Sequence, residues 1–409
     1  MQREIVDIRD VASFKILWKG WQNCLKGKKS ERRDVQEYYP NAKENILELQ
    51  RQLLNGTWDP DTGRQFWLFT EGKWRLITTV GVNDRIVHYA LINTFKIERR
   101  FVRRTYGYIK KRGTLAASKQ LRRDIKESGF DICIKLDAKK YYPNINKEIL
   151  IGMLRKRYKG KAALTLFEKV IRSYNPEELI GVSIGALTSQ DIGNFYLTIF
   201  DYFVMQECGV KRYVRYVDDM VILVRSKREA KRIIPMLVAK AAEFKVTFGK
   251  IEVFPISSRR VDFCGYAVNH DTCRLRKRTA VRFMRKLRQL DRRASINPIY
   301  ERSCVCSYLG LLEHCNGKEL LNLLKKEHYE VFRRIDRYAS HSGRVGNGTA
   351  IAAAGCDRTP QVFQPPHRKA RAGRNRRGDR GTVIHDNRRT VRRLCGSGMQ
   401  PQANGRGMD

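Results

Sequence analysis

The chain has 409 residues, 42% of them hydrophobic, which is enough for a sizeable core and two or three domains. Its formal charge is +40 with a pI near 10.1, a surplus that repels itself unless a polyanion is the partner, and nucleic acid is the first candidate. No run approaches the roughly 18 apolar residues of a membrane span, the N-terminus lacks a signal-peptide core, and ten cysteines without framework spacing exclude a disulfide scaffold and suit a reducing compartment.

The first 70 residues read as helical. Phe14, Leu17, Trp18 and Trp21 recur at i, i+3, i+4 and i+7, the apolar stripe of a helix. A second stripe, Ile46, Leu47, Leu49, Leu53 and Leu54, stops at Asn55-Gly56. Residues 65–80 alternate as a strand pair around a Glu71-Gly72-Lys73 turn. The second strand carries Lys73 and Arg75, which a period of two puts on one face. Such a pair suits a triphosphate, since a guanidinium engages phosphate through two hydrogen bonds. Asn83-Asp84-Arg85 reads as the cap of a helix through Leu91 and Phe95. Residues 98–123 then hold ten cations, Arg112 among them, interleaved with Phe101, Tyr106 and Tyr108. Cations mixed with aromatics suit a nucleic-acid backbone and its bases.

Residues 131–137, Asp-Ile-Cys-Ile-Lys-Leu-Asp, read as a buried strand ending at Asp137, with Tyr141-Tyr142-Pro143 following. An acid there is either a metal ligand or a helix N-cap. Residues 147–174 read as helical. Gly181–Gln190 is a loop of small residues, which lets backbone approach a ligand closely, and a long helix follows from Asp191 to about Cys208. In Lys211–Val224, Asp218 and Asp219 separate two β-branched runs, giving a hairpin with two acids at its tip. Two adjacent carboxylates repel, so they suggest a hard cation such as Mg²⁺; the plain alternative is a solvated turn.

Lys227–Phe244 reads as a helix, Val246–Val253 as a strand bearing Lys250, and Val261–Tyr266 as a short strand and turn. Residues 274–340 read as helical and basic. Cys304, Cys306, His314 and Cys315 lack the spacing of a zinc site, and the cysteines read as core thiols. The composition changes near 341: residues 341–409 hold 14 Lys/Arg against 4 Asp/Glu with no apolar periodicity, the pattern of a segment disordered when free.

Taken in order, Asp137, the small-residue loop, Tyr216-Val217-Asp218-Asp219, Lys250 and Phe263-Cys264-Gly265-Tyr266 resemble the palm of a reverse transcriptase, over residues 65–320. The resemblance implies an α+β, right-hand polymerase fold. Its parts would be an N-terminal helical extension (1–64), fingers (65–130), a palm (131–270) and a helical thumb (271–340), with the basic tail at 341–409. The palm's antiparallel sheet would carry helices on one face, with an inserted fingers part at about 147–180. Group II intron and retron enzymes typically carry Gln-Gly-x-x-x-Ser-Pro in the loop. Here it reads Ile184-Gly185-Ala186-Leu187-Thr188-Ser189-Gln190, which resembles the reverse transcriptases of diversity-generating retroelements in phages and bacteria. Ser307–Cys315 is similar to their thumb, and no appended endonuclease is expected.

That family implies an RNA-directed DNA polymerase making adenine-mutagenised cDNA from a template-repeat RNA for mutagenic retrohoming, in the cytoplasm of a bacterial host cell. Implied partners are a structured template RNA, a cDNA/RNA primer, dNTPs and a small basic oligomeric accessory variability protein, with no membrane. Two Mg²⁺ ions would be bridged by Asp137 and Asp218, supported by Asp219 and the Ala138 carbonyl. Lys73, Arg75, Tyr142, Ile184, Gly185 and Gln190 would meet the nucleotide, Tyr142 as the gate against a ribose 2′-hydroxyl, with Tyr141 the core-facing alternative. Lys250 resembles the family lysine near the β/γ-phosphates, a candidate proton donor. Arg112, Tyr216, Phe263, Cys264 and Gly265 would contact primer and template. The alternatives are a retron or group II intron-like enzyme of ordinary fidelity, and a non-catalytic RNA-binding protein with a polymerase-like palm.

Overall fold

The computed structural model describes residues 3–342 apart from 62, 71 and 293–296. The basic tail expected from 341 lies outside the described residues but for its first two. All described residues belong to one unit.

The N-terminal apolar stripes become helices α1 (Phe14–Cys24) and α2 (Ala42–Asn55). Helix α1 buries Leu17 and Trp21, and α2 buries Ile46, Leu49 and Leu53. Gly56 ends α2 in the left-handed conformation at φ 72°, which lets its N–H return to the Leu53 carbonyl. Strands β1 (Arg64–Thr70) and β2 (Lys73–Thr79) pair antiparallel, with Thr70 opposite Lys73 and Leu68 opposite Arg75. Helix α3 (Val82–Phe95) starts earlier than the sequence suggests: Gly81 is its N-cap, and Asn83-Asp84-Arg85 forms its first turn. Helix α4 (Thr114–Ser128) closes the basic stretch.

The central sheet is built from β3 (Ile132–Ala138), β4 (Tyr213–Tyr216), β5 (Asp219–Val224) and β6 (Phe248–Pro255), all antiparallel, in the order β4-β5-β3-β6. Between β3 and β4 lie α5 (Lys147–Arg157), α6 (Lys161–Arg172) and α7 (Leu187–Tyr196). Helix α7 begins at Leu187, four residues before the expected Asp191, so Thr188, Ser189 and Gln190 are helical. Helix α8 (Lys227–Glu243) follows β5. Ser226 caps its start, its Oγ accepting from the Glu229 N–H, and the Glu229 carboxylate accepts from the Arg225 N–H just before the cap.

The near-continuous apolar runs of β3 and β5 reflect burial on both sides. Ile134, Leu136, Met220 and Ile222 share a core with α5, α6, α7 and α8. Cys133, Val214, Val221 and Leu223 belong to a second core with Leu121 and Ile125 of α4. Helix α4 packs against the edge strand β4 and brings Leu121 and Ile125 to this second core. That second core continues into β7 (Val261–Phe263), β8 (Tyr266–Val268) and β9 (Cys273–Leu275), and into helices α9 (Lys277–Arg292), α10 (Pro298–Leu312), α11 (Lys318–Glu327) and α12 (Tyr329–Ser342). Of the cysteines read as core thiols, Cys304 is buried and Cys315 half-buried, but Cys306 is exposed on α10.

Candidate active site

The site begins at the turn between β4 and β5. Tyr216 pairs with Asp219, so the turn residues are Val217 and Asp218. Only Asp218 occupies the tip; Asp219 is the first residue of β5. Val217 has φ 58°, a conformation that costs a β-branched residue about 1–3 kcal/mol and persists only where its surroundings impose it. Those surroundings are visible. Arg215 is fully buried and its Nη1 donates to the Val217 carbonyl at 2.8 Å. The rest of the guanidinium is held by Asp201, through Nε at 2.7 Å and Nη2 at 2.5 Å, and by Asn194. Tyr213 Oη also donates to Asp201, at 2.6 Å. Gly107 packs against the turn, where a Cβ would stand 2.5 Å from Val217 Cγ2.

Register then assembles a row across all four strands: Tyr216, Asp219, Asp137 and Lys250 are successive cross-strand partners. Directly opposed residues point to the same face, so three of these groups and Asp218 beside them form one polar edge. A register shift between Asp137 and Ala138 in the β3–β6 pairing re-aims the chain there, and the Ala138 N–H donates to the Asp218 carbonyl at 3.3 Å. Burial raises the pKa of all three acids. Asp218 is pushed up to about 6, with Asp137 adding repulsion. Asp219 is pushed up to about 7 by burial, Lys135 opposing and the other two acids adding to it. Asp137 is raised by burial, against the fields of Lys135 and Lys73. Carboxylates that burial and mutual repulsion discourage from ionising fit a cation as the missing partner.

The cations and aromatics expected near the nucleotide surround this edge. Lys73 and Arg75 share one face of the β1–β2 hairpin; the field of Lys73 reaches Asp137 and that of Arg75 reaches Asp218. Tyr141 is buried and its hydroxyl donates to the Gly193 carbonyl at 2.5 Å. Tyr142 lies partly exposed beside it, its hydroxyl without a hydrogen bond, and its ring rests on Gly193, where a Cβ would stand 2.9 Å away. The loop is tied to the hairpin: the Thr78 N–H donates to the Ile184 carbonyl at 3.0 Å. Gly185 follows at φ 117°, and a Cβ there would meet the Thr78 carbonyl at 2.9 Å, so glycine is required. Gln190 is exposed on α7.

Residues 60–268 match the family described as reverse transcriptase (RNA-dependent DNA polymerase). The chain belongs to the reverse transcriptase family. Among solved structures it is similar to telomerase from Candida albicans in complex with a fragment of telomeric RNA, at 13% identity and a TM-score of 0.42, covering 68% of this chain. The chain spans 55% of the length of that telomerase chain. No curated protein matches it. No helix among the described residues is long and apolar enough to cross a membrane.

Several residues of this reverse transcriptase stand differently from the sequence expectation. Phe263 is fully buried in the second core, so its ring does not reach a primer. The turn itself is Cys264-Gly265, with φ 49° and 90°, the two-residue hairpin geometry that joins β7 to β8. Cys264 is half-buried and close enough to Asp219 to feel its charge. Arg112 is half-buried and donates to the Thr105 carbonyl at 2.8 Å, over the Tyr106 ring. Within the basic run, Arg104 pairs with Asp124 at 2.7 Å and Arg100 with Glu4 at 3.0 Å. Lys110, Lys111, Lys119 and Arg123 have no ion-pair partner among the described residues and remain for a polyanion. Lys250 is 77% exposed and pairs with Glu252 at 2.6 Å.

Three groups escaped the sequence reading: Lys135, Arg215 and Asp201. A period-two count puts Arg215 on the inward face with Tyr213, and an arginine there needs a buried acid; only the fold identifies Asp201 as that acid. Among the described residues, no three acidic, histidine or cysteine side chains already converge as a closed metal cluster. The fit to a divalent ion rests instead on the donor set and on Asp219 Oδ1, which is buried and accepts no hydrogen bond. Oxygen donors of this kind suit Mg²⁺.

Asp191, just after the loop, offers a test of the local field. Burial pushes its pKa up from 3.8 to about 7, with Glu98 adding to it. The folded state therefore keeps this proton longer than the unfolded chain. Stability tied to the protonated form is complete below the unfolded value and is lost as pH rises through the folded one. Asp191→Asn should raise the Tm by several degrees at pH 8 and by less at pH 5. Equal gains at the two pH values would refute the burial argument.

Proposed function

We propose that this reverse transcriptase is an RNA-directed DNA polymerase of the diversity-generating kind, adding dNTPs to a primer 3′-hydroxyl on a structured RNA template with low fidelity at template adenines. Asp137, Asp218 and Asp219, with the Ala138 carbonyl, would hold divalent ions, Mg²⁺ in the usual case. Divalent ions held there would supply activation of the attacking hydroxyl and charge neutralisation for the departing pyrophosphate. Lys73 and Arg75, on one face of the hairpin, draw the triphosphate toward the acids and neutralise it. Tyr142, seated on Gly193, excludes a ribose 2′-hydroxyl. Lys250 lies at the open end of the carboxylate row, where an approaching pyrophosphate would compete with Glu252 for its ammonium. Tyr216 and the Cys264-Gly265 turn flank the primer side. The small accessory protein is proposed as a partner on the family pattern alone.

The observation that carries the error-prone reading is Ile184. Its backbone is bound to β2, the strand of the cation pair, and its side chain is apolar. A glutamine there can hydrogen-bond near the nascent base pair; isoleucine cannot, so a wrong pair loses less relative to a right one. One such polar contact is worth about 1–3 kcal/mol, or roughly 10- to 100-fold in discrimination.

Ile184→Gln should therefore lower misincorporation opposite adenine by about tenfold or more while leaving the Tm unchanged. Sequencing of cDNA extended on a defined RNA template, wild type beside variant, measures it. An identical error spectrum in the two would remove the basis of the low-fidelity reading.

A further inference from the structure

Lys135 lies two residues before Asp137 on β3 and shares its face of the sheet. Its side chain is 18% exposed, an uncommon setting for a lysine. Its Nζ donates to the Asp262 carbonyl, at 2.5 Å. The same Nζ stands 3.5 Å from Asp219 Oδ1, within ion-pair range but without a hydrogen bond. The neighbouring acids are already taken. Glu252, directly opposite Lys135 on β6, is paired with Lys250 and Arg259. The Asp262 carboxylate is paired with Arg276. Asp219 is the acid within ion-pair range of Lys135 among the described residues, and the field of Lys135 also reaches Asp137.

We propose that Lys135 is a resident counter-cation of the carboxylate row: it compensates the buried charge of Asp219 electrostatically, yet spends its hydrogen bond on the Asp262 carbonyl and so leaves Asp219 Oδ1 open to a metal ion. The assignment makes Lys135 a positioning residue, and its metal arm rests on the reading of Asp137, Asp218 and Asp219 as ion-holding groups. Two consequences follow. Before an ion binds, Lys135 keeps three crowded acids tolerable and fastens β3 to β7, the strand leading into the Cys264-Gly265 turn. When an ion binds, Lys135 opposes it, because like charges a few ångströms apart in a partly buried site repel strongly. Lys135 therefore weakens metal affinity in exchange for a stable metal-free site.

The test uses the full chain without nucleotide. Mn²⁺ binding is followed by the paramagnetic resonance of the free ion, and Tm is measured in chelator, for wild type, Lys135→Met, Lys135→Arg, Asp219→Asn and the double variant Lys135→Met/Asp219→Asn. Lys135→Met should bind the Asp219-dependent Mn²⁺ about tenfold more tightly, and Lys135→Arg like the wild type. In chelator, Lys135→Met should lower the Tm, and most of that loss should vanish in the Asp219→Asn background, since the pair is then already broken. Unchanged Mn²⁺ affinity in Lys135→Met, or an equal Tm loss in both backgrounds, overturns the proposal. Wild-type protein with no Asp219-dependent Mn²⁺ site overturns the metal reading; the Tm cycle still decides the Lys135–Asp219 pairing by itself. Should Lys135→Met be insoluble, Lys135→Gln carries the same comparisons.

Discussion

Asp218→Asn is expected to cut dNTP incorporation by about a thousandfold while leaving the fold intact. The size follows from the transition-state charge that a divalent ion held by these carboxylates would stabilise, several kcal/mol, with each 1.4 kcal/mol worth about tenfold in rate. The intact fold follows from the surroundings. Burial and Asp137 both work against the Asp218 charge, so a neutral amide of the same shape relieves the folded state rather than straining it. The side chain also sits at the tip of the turn, where its backbone carbonyl, unchanged by the substitution, accepts from Ala138. Primer extension on an RNA template with Mg²⁺, alongside a thermal melt, measures both. A variant within about tenfold of wild-type activity would remove Asp218 from the site, and a collapsed Tm would make the lost activity a folding defect instead.

The parts of this architecture that sequence made legible are those governed by local periodicity. The apolar runs of β3 and β5 declared buried strands, and the period of two placed Lys73 and Arg75 together on β2. The same rule applied to β7 would have turned Phe263 inward; reading the turn as a primer contact passed over that alternation. Helix α7 began before Asp191 because Ala186, not a capping side chain, marks its start, and no strong signal announces such an end. What could not be read was the matching of distant charges. Lys135 and Asp219 are separated by most of the palm in sequence, and Arg215 on β4 meets Asp201 on a short helix at Thr198–Tyr202. Pairing of β5 with β3 brings Lys135 to Asp219, and the packing of the 198–202 helix against β4 brings Asp201 to Arg215.

Arg215→Leu is the second large effect, and it separates stability from positioning. The side chain is fully buried and its ion pair with Asp201 has no exposed atom on either side. Removing one member of such a pair leaves an uncompensated buried charge and costs about 3–5 kcal/mol, on the order of a 5 °C fall in Tm for a chain of this size. Removing both members costs much less, because well-packed apolar side chains replace a buried ion pair at little or no loss. Arg215→Leu/Asp201→Leu should therefore recover part of the Tm, the Tyr213 hydroxyl and Asn194 amide oxygen that lose their buried partners holding it below wild type. It should not recover activity. In both variants the Val217 carbonyl has lost the Arg215 donor, and the strained φ of 58° has lost a restraint that imposes it. Released, the turn relaxes and carries Asp218 out of line with Asp137. A displacement near 1 Å at a reacting centre costs about a hundredfold, so the stable double variant should stay roughly that far below wild type in primer extension. A double variant that is both stable and fully active would show that the buried pair serves folding alone; the predicted split would show that the fold holds this charge inside to keep a β-branched residue where a glycine would otherwise be needed.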